Sequence, residues 1–247
     1  MTKSKLRTTV YIDGFNFYYG QLRNTPFKWL NLTKLFKSVL GEENEIVKIK
    51  YFTARVQPTE RDPKVNTRQD AYFKALDICC PEVEIHFGHF LRHKVFAENA
   101  NPPPNTIEIF KTEEKGSDVN LALHVLNDAW ANAYDCAVIV SNDSDLSTAL
   151  QMVKEQHNKV LGLITPGAPK RKPSWQLKRY ANFSKLIRSW TLSESLLPNT
   201  IPMTEIARPK SWWKLRNFLE LVGARGFEPP TTCTPCKYAT RLRYAPT

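Results

Sequence analysis

Three stretches of the chain put carboxylates where an apolar run stops. Ala137-Val138-Ile139-Val140 leads into Ser141-Asn142-Asp143-Ser144-Asp145, and Val10-Tyr11-Ile12 leads into Asp13. A further acid, Asp118, follows "KTEEKGS" at the start of a helical pattern. No cation stands beside Asp143 and Asp145 in the sequence. At about 4 Å and an effective dielectric of about 20, each like-charged pair costs about 4 kcal/mol. A cluster of this kind stays ionised when cations compensate it; otherwise its pKa values rise. Hard oxygen donors select Mg2+ or Mn2+, and the chemistry such sites perform is in-line displacement at phosphorus. Each acid also has a plain structural role. Asp13 before Gly14 can be a turn residue, Asp118 can favour a helix N-terminus, and Asp143 or Asp145 can cap the next helix.

The elements that would hold these acids follow from periodicity. Residues 8–12 read as a short buried strand. Leu30, Leu32, Leu35, Phe36, Val39 and Leu40 recur at helical spacing and stop at Gly41. Residues 45–56 and 82–93 alternate as strands, with the helical pattern "VNTRQDAYFKALDICC" between them. "AENANPPPNT" is a loop, because three consecutive prolines exclude helix and central strand. Ser117 is expected to cap a helix whose apolar stripe is Val119, Leu123, Leu126 and Trp130. "CAVIV" reads as a doubly buried strand, followed by a helix near 146–157 and a strand over 159–165. Strands alternating with helices predict an α/β fold with a mostly parallel central sheet. Ligand chemistry in such sheets collects at the C-terminal edge, where all four acids are expected.

The chain has 247 residues and a net charge of +11, which favours a polyanionic partner. Residues 166–192 carry much of that charge on Lys170, Arg171, Lys172, Lys178, Arg179, Lys185 and Arg188, without one acid. They form either a solvated basic face or an arm that contacts a nucleic-acid backbone, with Trp175 and Tyr180 available for stacking. Lys111 and Lys115 are loop lysines in the same two senses. The apolar run before Asp13 is too short for a signal peptide, and no stretch approaches a membrane span. Cys79, Cys80, Cys136, Cys233 and Cys236 form no even disulfide framework, which fits a reduced, cytoplasmic setting. Residues 1–192 are assigned to one domain and 193–247 to a weakly ordered tail. Within that tail, Gly226-Phe227-Glu228-Pro229 is compatible with codons antisense to a transfer-RNA T-arm. The last 25 residues, 223–247, are therefore expected to be read through an antisense transfer-RNA gene, so that Cys233-x-x-Cys236 is no metal pair.

"YIDGFNFYYG", "EKGSDVNLALHVLNDA" and "VIVSNDSDL" together resemble the NYN domain, a branch of the PIN-like ribonuclease superfamily. The resemblance covers roughly residues 8–165. It implies a three-layer α/β/α sandwich and Mg2+- or Mn2+-dependent cleavage of RNA. Carried over by position, it assigns metal binding and catalysis to Asp13, Asp118, Asp143 and Asp145. Asn16 and Ser141 would support them. The chain departs from the family pattern at His124, where many relatives carry Asp, and at Asn142, where many carry Gly. His124 is either a polar-face residue or a group at the edge of the site. RNA is the expected partner, with no membrane; a homodimer is left open. The rivals are a non-catalytic RNA-binding module and, further off, an aspartyl-nucleophile phosphatase, which needs a second Asp where Phe15 stands. His86, His89 and His93 tempt a zinc reading, but on a strand 86 and 89 point to opposite faces. Phe15, Phe17, Tyr18 and Tyr19 are read mainly as core.

Overall fold

Strand β1 (Leu6–Asp13) organises the molecule. Val10 and Ile12 join a hydrophobic cluster on one side of the sheet, while Tyr11 joins a second cluster on the other. The computed structural model describes residues 4–60, 62–167 and 171–213. β1 pairs in parallel with β2 (Asn44–Ala54) on one side and β5 (Cys136–Val140) on the other. With β3 (Val83–Glu98), β4 (Thr106–Lys115), β6 (Val160–Ile164) and β7 (Phe183–Lys185), the sheet runs β4-β3-β2-β1-β5-β6-β7. Every pairing is parallel except β3–β4. The chain winds outward from β1 in one direction and later from β5 in the other. A topological switch point therefore lies between them, just beyond the carboxyl ends of both strands.

Helices cover both faces. The first is α1 (Gly14–Phe17), continued by a π-helical turn over Tyr18–Leu22, followed by α2 (Leu32–Leu40) and α3 (Val65–Cys79). Their buried residues join Val10 and Ile12 in one cluster. α4 (Ser117–Trp130), α5 (Ser147–His157) and α6 (Trp175–Lys178) cover the Tyr11 side. This is the expected three-layer α/β/α sandwich. Local signals account for most boundaries. Asn31 caps α2 by accepting from the Lys34 N–H at 2.8 Å, and Gly41 (φ 82°) stops it.

The structure departs from the sequence reading in several places. Of the apolar stripe expected on α4, Val119, Leu123 and Trp130 are exposed, and Leu121, Val125 and Ala129 form the buried face instead. Tyr19, read as core, is also exposed. The sequence reading has no strand at Thr106–Lys115 and takes Lys111 and Lys115 as loop lysines; the segment is strand β4. It pairs with β3 from His89 to Glu98 as a largely exposed ribbon, so its Ile107-x-Ile109 alternation lacks a buried face to reveal it. Gly116, in a left-handed turn (φ 99°), occupies the cap of α4 in place of Ser117. Residues 193–213, placed in the tail for want of periodicity, pack on the core. Leu197 and Ile201 are buried, Leu196 bridges to Leu30, and the Pro198 carbonyl accepts from Trp29 Nε1 at 2.8 Å. A last helix, α7 (Ser189–Glu194), leads into this segment. The transfer-RNA assignment and the Cys233–Cys236 pair lie outside the described residues. Among the described residues, no helix is long and apolar enough to cross a membrane.

One buried polar cluster ties α4 to the sheet. Tyr11 and Lys50 are register partners on β1 and β2, so both side chains project towards α4. Asp128 meets both: Tyr11 Oη donates to Asp128 Oδ2 at 2.6 Å, and Lys50 Nζ lies 2.7 Å from the same atom. Lys50 Nζ also reaches His124 Nδ1 at 3.2 Å. Burial, then the Lys50 charge, holds the His124 pKa below its ordinary value, which suits a ring nitrogen accepting from the ammonium. Removing Asp128 strands a buried cation. Asp128→Ala is expected to cost about 3–5 kcal/mol in urea unfolding and Tyr11→Phe about 1 kcal/mol; a loss below about 1 kcal/mol for Asp128→Ala would show that water reaches Lys50.

Candidate functional site

Asp13 ends β1 with 4% of its surface exposed. The β1–β5 register aligns Ile12 with Val140, so the following residues, Asp13 and Ser141, emerge side by side. Ser141 Oγ donates to Asp13 Oδ2 at 2.8 Å and accepts from the Asp143 N–H at 3.0 Å. The other Asp13 oxygen accepts from the Asn16 N–H at 2.8 Å, and Asn16 Oδ1 accepts from the Asn142 N–H at 3.3 Å. One hydroxyl and one amide thus lock two strand ends together. Burial raises the Asp13 pKa, against the lowering effect of these hydrogen bonds. Asp143 combines its two candidate roles: its Oδ1 caps the short turn Ser144–Leu146 by accepting from the Asp145 N–H at 3.0 Å.

Asp118 comes from the opposite wall, in the first turn of α4. The turn before it is held by Glu114, whose Oε1 accepts from Ser117 N at 3.1 Å and Ser117 Oγ at 2.7 Å. This brings β4 hard against β3 at Gly88, where a Cβ would stand 2.6 Å from the Lys115 carbonyl oxygen; a larger residue would push Asp118 away. Asp118 is pushed up to about 6, first by burial, then by the charges of Asp13, Asp143, Glu114 and Asp145. Acids from β1, α4 and the β5–α5 loop therefore share one field without a neutralising partner among the described residues.

Asp13, Asn16, Glu114, Asp118 and Asp143 line an open depression of about 330 Å3, together with Phe15, Tyr19 and Phe90. Phe15 and Phe90 meet edge to face at 5.8 Å. Among the described residues, no three His, Cys, Asp or Glu side chains stand at the spacing of one metal's ligand set. The acids form an open rim rather than a closed shell. Such a rim fits Mg2+ or Mn2+, which keep several waters and take one or two carboxylates with substrate phosphate. It does not fit zinc in a structural site, which closes four protein ligands around the ion.

The other sequence candidates divide. Asp145 is exposed and joins the rim through its backbone bond to Asp143. His124 lies elsewhere, 4.2 Å ring to ring from His86 and beside Lys50. Lys111 and Lys115 sit on β4, not a loop, and both clamp Glu113, at 2.5 and 3.0 Å. Lys170 lies outside the described residues. Arg171, Lys172, Lys178 and Arg179 are exposed, and their segment is tied to the rim by Asn142. The Asn142 side chain donates to the Lys172 carbonyl at 3.4 Å and accepts from the Ser174 N–H at 2.7 Å. Trp175, 69% exposed, follows directly. Asn142, one of the departures from the family pattern noted in the sequence, carries these two bonds through its side chain. Glu114 and Phe90 escaped the sequence reading because their contributions depend on the β3–β4 pairing.

The model of the NYN domain matches residues 7–187. A Pseudomonas putida protein named 6-hydroxy-3-succinoylpyridine 3-monooxygenase HspA is 36% identical over 236 residues, covering 84% of this chain and 76% of that one. Among solved structures, a protein of unknown function from Vibrio parahaemolyticus, VPA0982, superposes with a TM-score of 0.48 at 18% identity, over 80% of this chain and 99% of that one. The family match spans the sheet from β1 to β7 and every acid of the rim: the chain belongs to the NYN domain family, within the PIN-like superfamily.

Proposed function

We propose that the chain is a ribonuclease that uses Mg2+ or Mn2+ held on the acidic rim. The observation that carries this reading is the meeting of Asp13, Asp118 and Asp143 at the switch point, uncompensated and bordered by an exposed basic segment. When bound, the ion supplies charge stabilisation at phosphorus and a water of lowered pKa. Asp13 and Asp143 would hold it in an orientation set by the Ser141 hydroxyl, which touches both residues. Asp118 would act on the ion from α4 through a bound water, and Asp145 would orient water at the outer edge. Arg171, Lys172, Lys178 and Arg179 would steer the RNA backbone, and Trp175 offers a face on which a base can stack. Lys111 and Lys115 contribute less to such steering, because Glu113 already neutralises part of their charge.

A second reading comes from the P. putida relative, whose name assigns it oxygenation of a pyridine. The 36% identity over most of this chain favours it. The donor set weighs against it: the depression is lined by carboxylates and no histidine among the described residues, whereas non-haem iron oxygenases use two histidines and a carboxylate. A third outcome is RNA binding without cleavage.

Labelled single-stranded RNA separates the three. Cleavage with Mn2+ or Mg2+, absent in EDTA, is expected to fall in Asp143→Asn by about a hundredfold or more, beyond the ten- to hundredfold cost of losing an outer partner. Salt-sensitive RNA binding without cutting in either protein would leave the binding module. Oxygen uptake with the named pyridine and a nicotinamide reductant, without RNA cutting, would leave the oxygenase.

The acidity of Asp118 gives a pH signature. A proton on this carboxyl opposes the ion, so Mn2+ affinity, read by calorimetry, is expected to weaken as pH falls through about 6, and that pH step is expected to vanish in Asp118→Asn. Stability of the metal-free protein runs the other way. The folded carboxyl binds its proton more readily than the unfolded one, so stability rises as pH falls from about 6 towards 3.8 and is lost again above 6.

A further inference from the structure

A second cavity of about 220 Å3 opens beside the acidic depression. Phe15 and Tyr19 line both, so the two adjoin. Its walls are aromatic: Tyr18, Tyr51, Tyr72 and Phe73 among them, with Trp212 from the C-terminal segment. The volume suits one flat ring system.

The charged and amide side chains around it are already engaged, whereas, among the described residues, the hydroxyls of Tyr18, Tyr19, Tyr51 and Thr53 are not. Arg68 is ion-paired with Asp62. Gln69 bonds the Val56 N–H and the Ala54 carbonyl, each at 3.0 Å. Lys28 Nζ donates to the Thr25 carbonyl at 2.8 Å, and Tyr72 Oη donates to the Leu30 carbonyl at 3.0 Å. Tyr51 belongs to the second group. It is 8% exposed, and its hydroxyl has no hydrogen-bond partner among the described residues. Its hydroxyl-bearing ring carbon lies 3.0 Å from where a Cβ on Gly14 would stand, and both residues line the cavity. A phenol hydroxyl without a protein partner can donate to, or accept from, a ligand seated in the cavity.

We infer that this cavity is the base-binding subsite of the RNA site, seating one unstacked nucleobase next to the phosphate held at the acidic rim. The inference deepens the ribonuclease reading and rests on it for its link to catalysis. The occupant follows from charge and shape. With Arg68 and Lys28 both engaged, the walls offer no free cation among the described residues for an anionic ligand, whereas a nucleobase is flat, neutral and rich in acceptors. Aromatic walls provide stacking for any base, and the Tyr51 hydroxyl provides one directional bond.

Free ribonucleosides test the subsite apart from phosphodiester cleavage, because they carry no phosphate. With the full chain in EDTA, saturation-transfer NMR and titration are expected to show binding of at least one of the four, unchanged by Mn2+. Tyr51→Phe is expected to weaken it about five- to tenfold. Val65→Trp, which fills the cavity from the start of α3, is expected to abolish it while thermal unfolding shows a folded protein. No binding of any nucleoside to the wild type overturns the inference even if RNA is cut. So does unchanged affinity in both variants, or a hydroxypyridine that binds more tightly than every nucleoside. Nucleoside binding lost in both variants, with no RNA cutting, sustains the subsite and removes the nuclease.

Discussion

The hydroxyl of Ser141 is the joint on which the site depends. It donates to the buried Asp13 carboxylate and accepts from the backbone N–H that begins the Asp143 loop. A carboxylate this deeply buried loses water, and its pKa rises. Its compensation is a set of fixed dipoles: Ser141 on one oxygen and the first turn of α1 on the other. The same bonds determine where the chain goes as it leaves β1 and β5. Charge stabilisation and loop geometry are therefore one problem with one solution. A residue without a hydroxyl at 141 would loosen both acids together.

The opposite wall is made differently. Asp118 depends on a left-handed glycine, a glutamate that holds Ser117, and the close approach of β3 to β4 at Gly88. Its carboxyl takes on the burden of the field, since burial and four neighbouring acids all act in the same direction. The molecule carries +11 overall yet concentrates uncompensated negative charge at one edge. The basic segment 171–179 is tethered to that edge by Asn142 instead of neutralising it by direct ion pairs. Long-range attraction and local repulsion are in this way kept on separate residues.

Much of this was legible in the sequence, for particular reasons. "CAVIV" and "TTVYI" are continuous apolar runs, and a parallel strand buried on both faces has no other way to read. Acids directly after such runs fall at the C-terminal edge by topology, so Asp13, Asp143 and Asp118 could be placed together before any contact was known. What stayed hidden depends on pairing between distant segments. β4 is exposed on most residues, so its alternation has no hydrophobic signature, and Glu114 could not be assigned to the rim without it. His124 stands on the helix that supplies Asp118, but its partners are Lys50 and His86 from β2 and β3. The segment after residue 193 looked irregular because it is; it is held by Trp29 and Leu30 rather than by periodicity of its own.

That last attachment separates two boundaries that are easily taken as one. The family match ends at residue 187, beyond every acid of the rim. Leu196, Leu197 and Ile201 come later and cover Trp29 and Leu30, and Trp212 packs 6.2 Å from Trp29 and 6.1 Å from Tyr72, ring to ring. A chain shortened to the family limit would keep the whole acidic edge while exposing an indole and several aliphatic side chains to water, each worth about 1.5–3 kcal/mol when buried. The limit of the family model and the limit of the folding unit thus fall at different residues, and a gene fragment cut at the first would yield a sticky, poorly folding product for reasons unrelated to its chemistry.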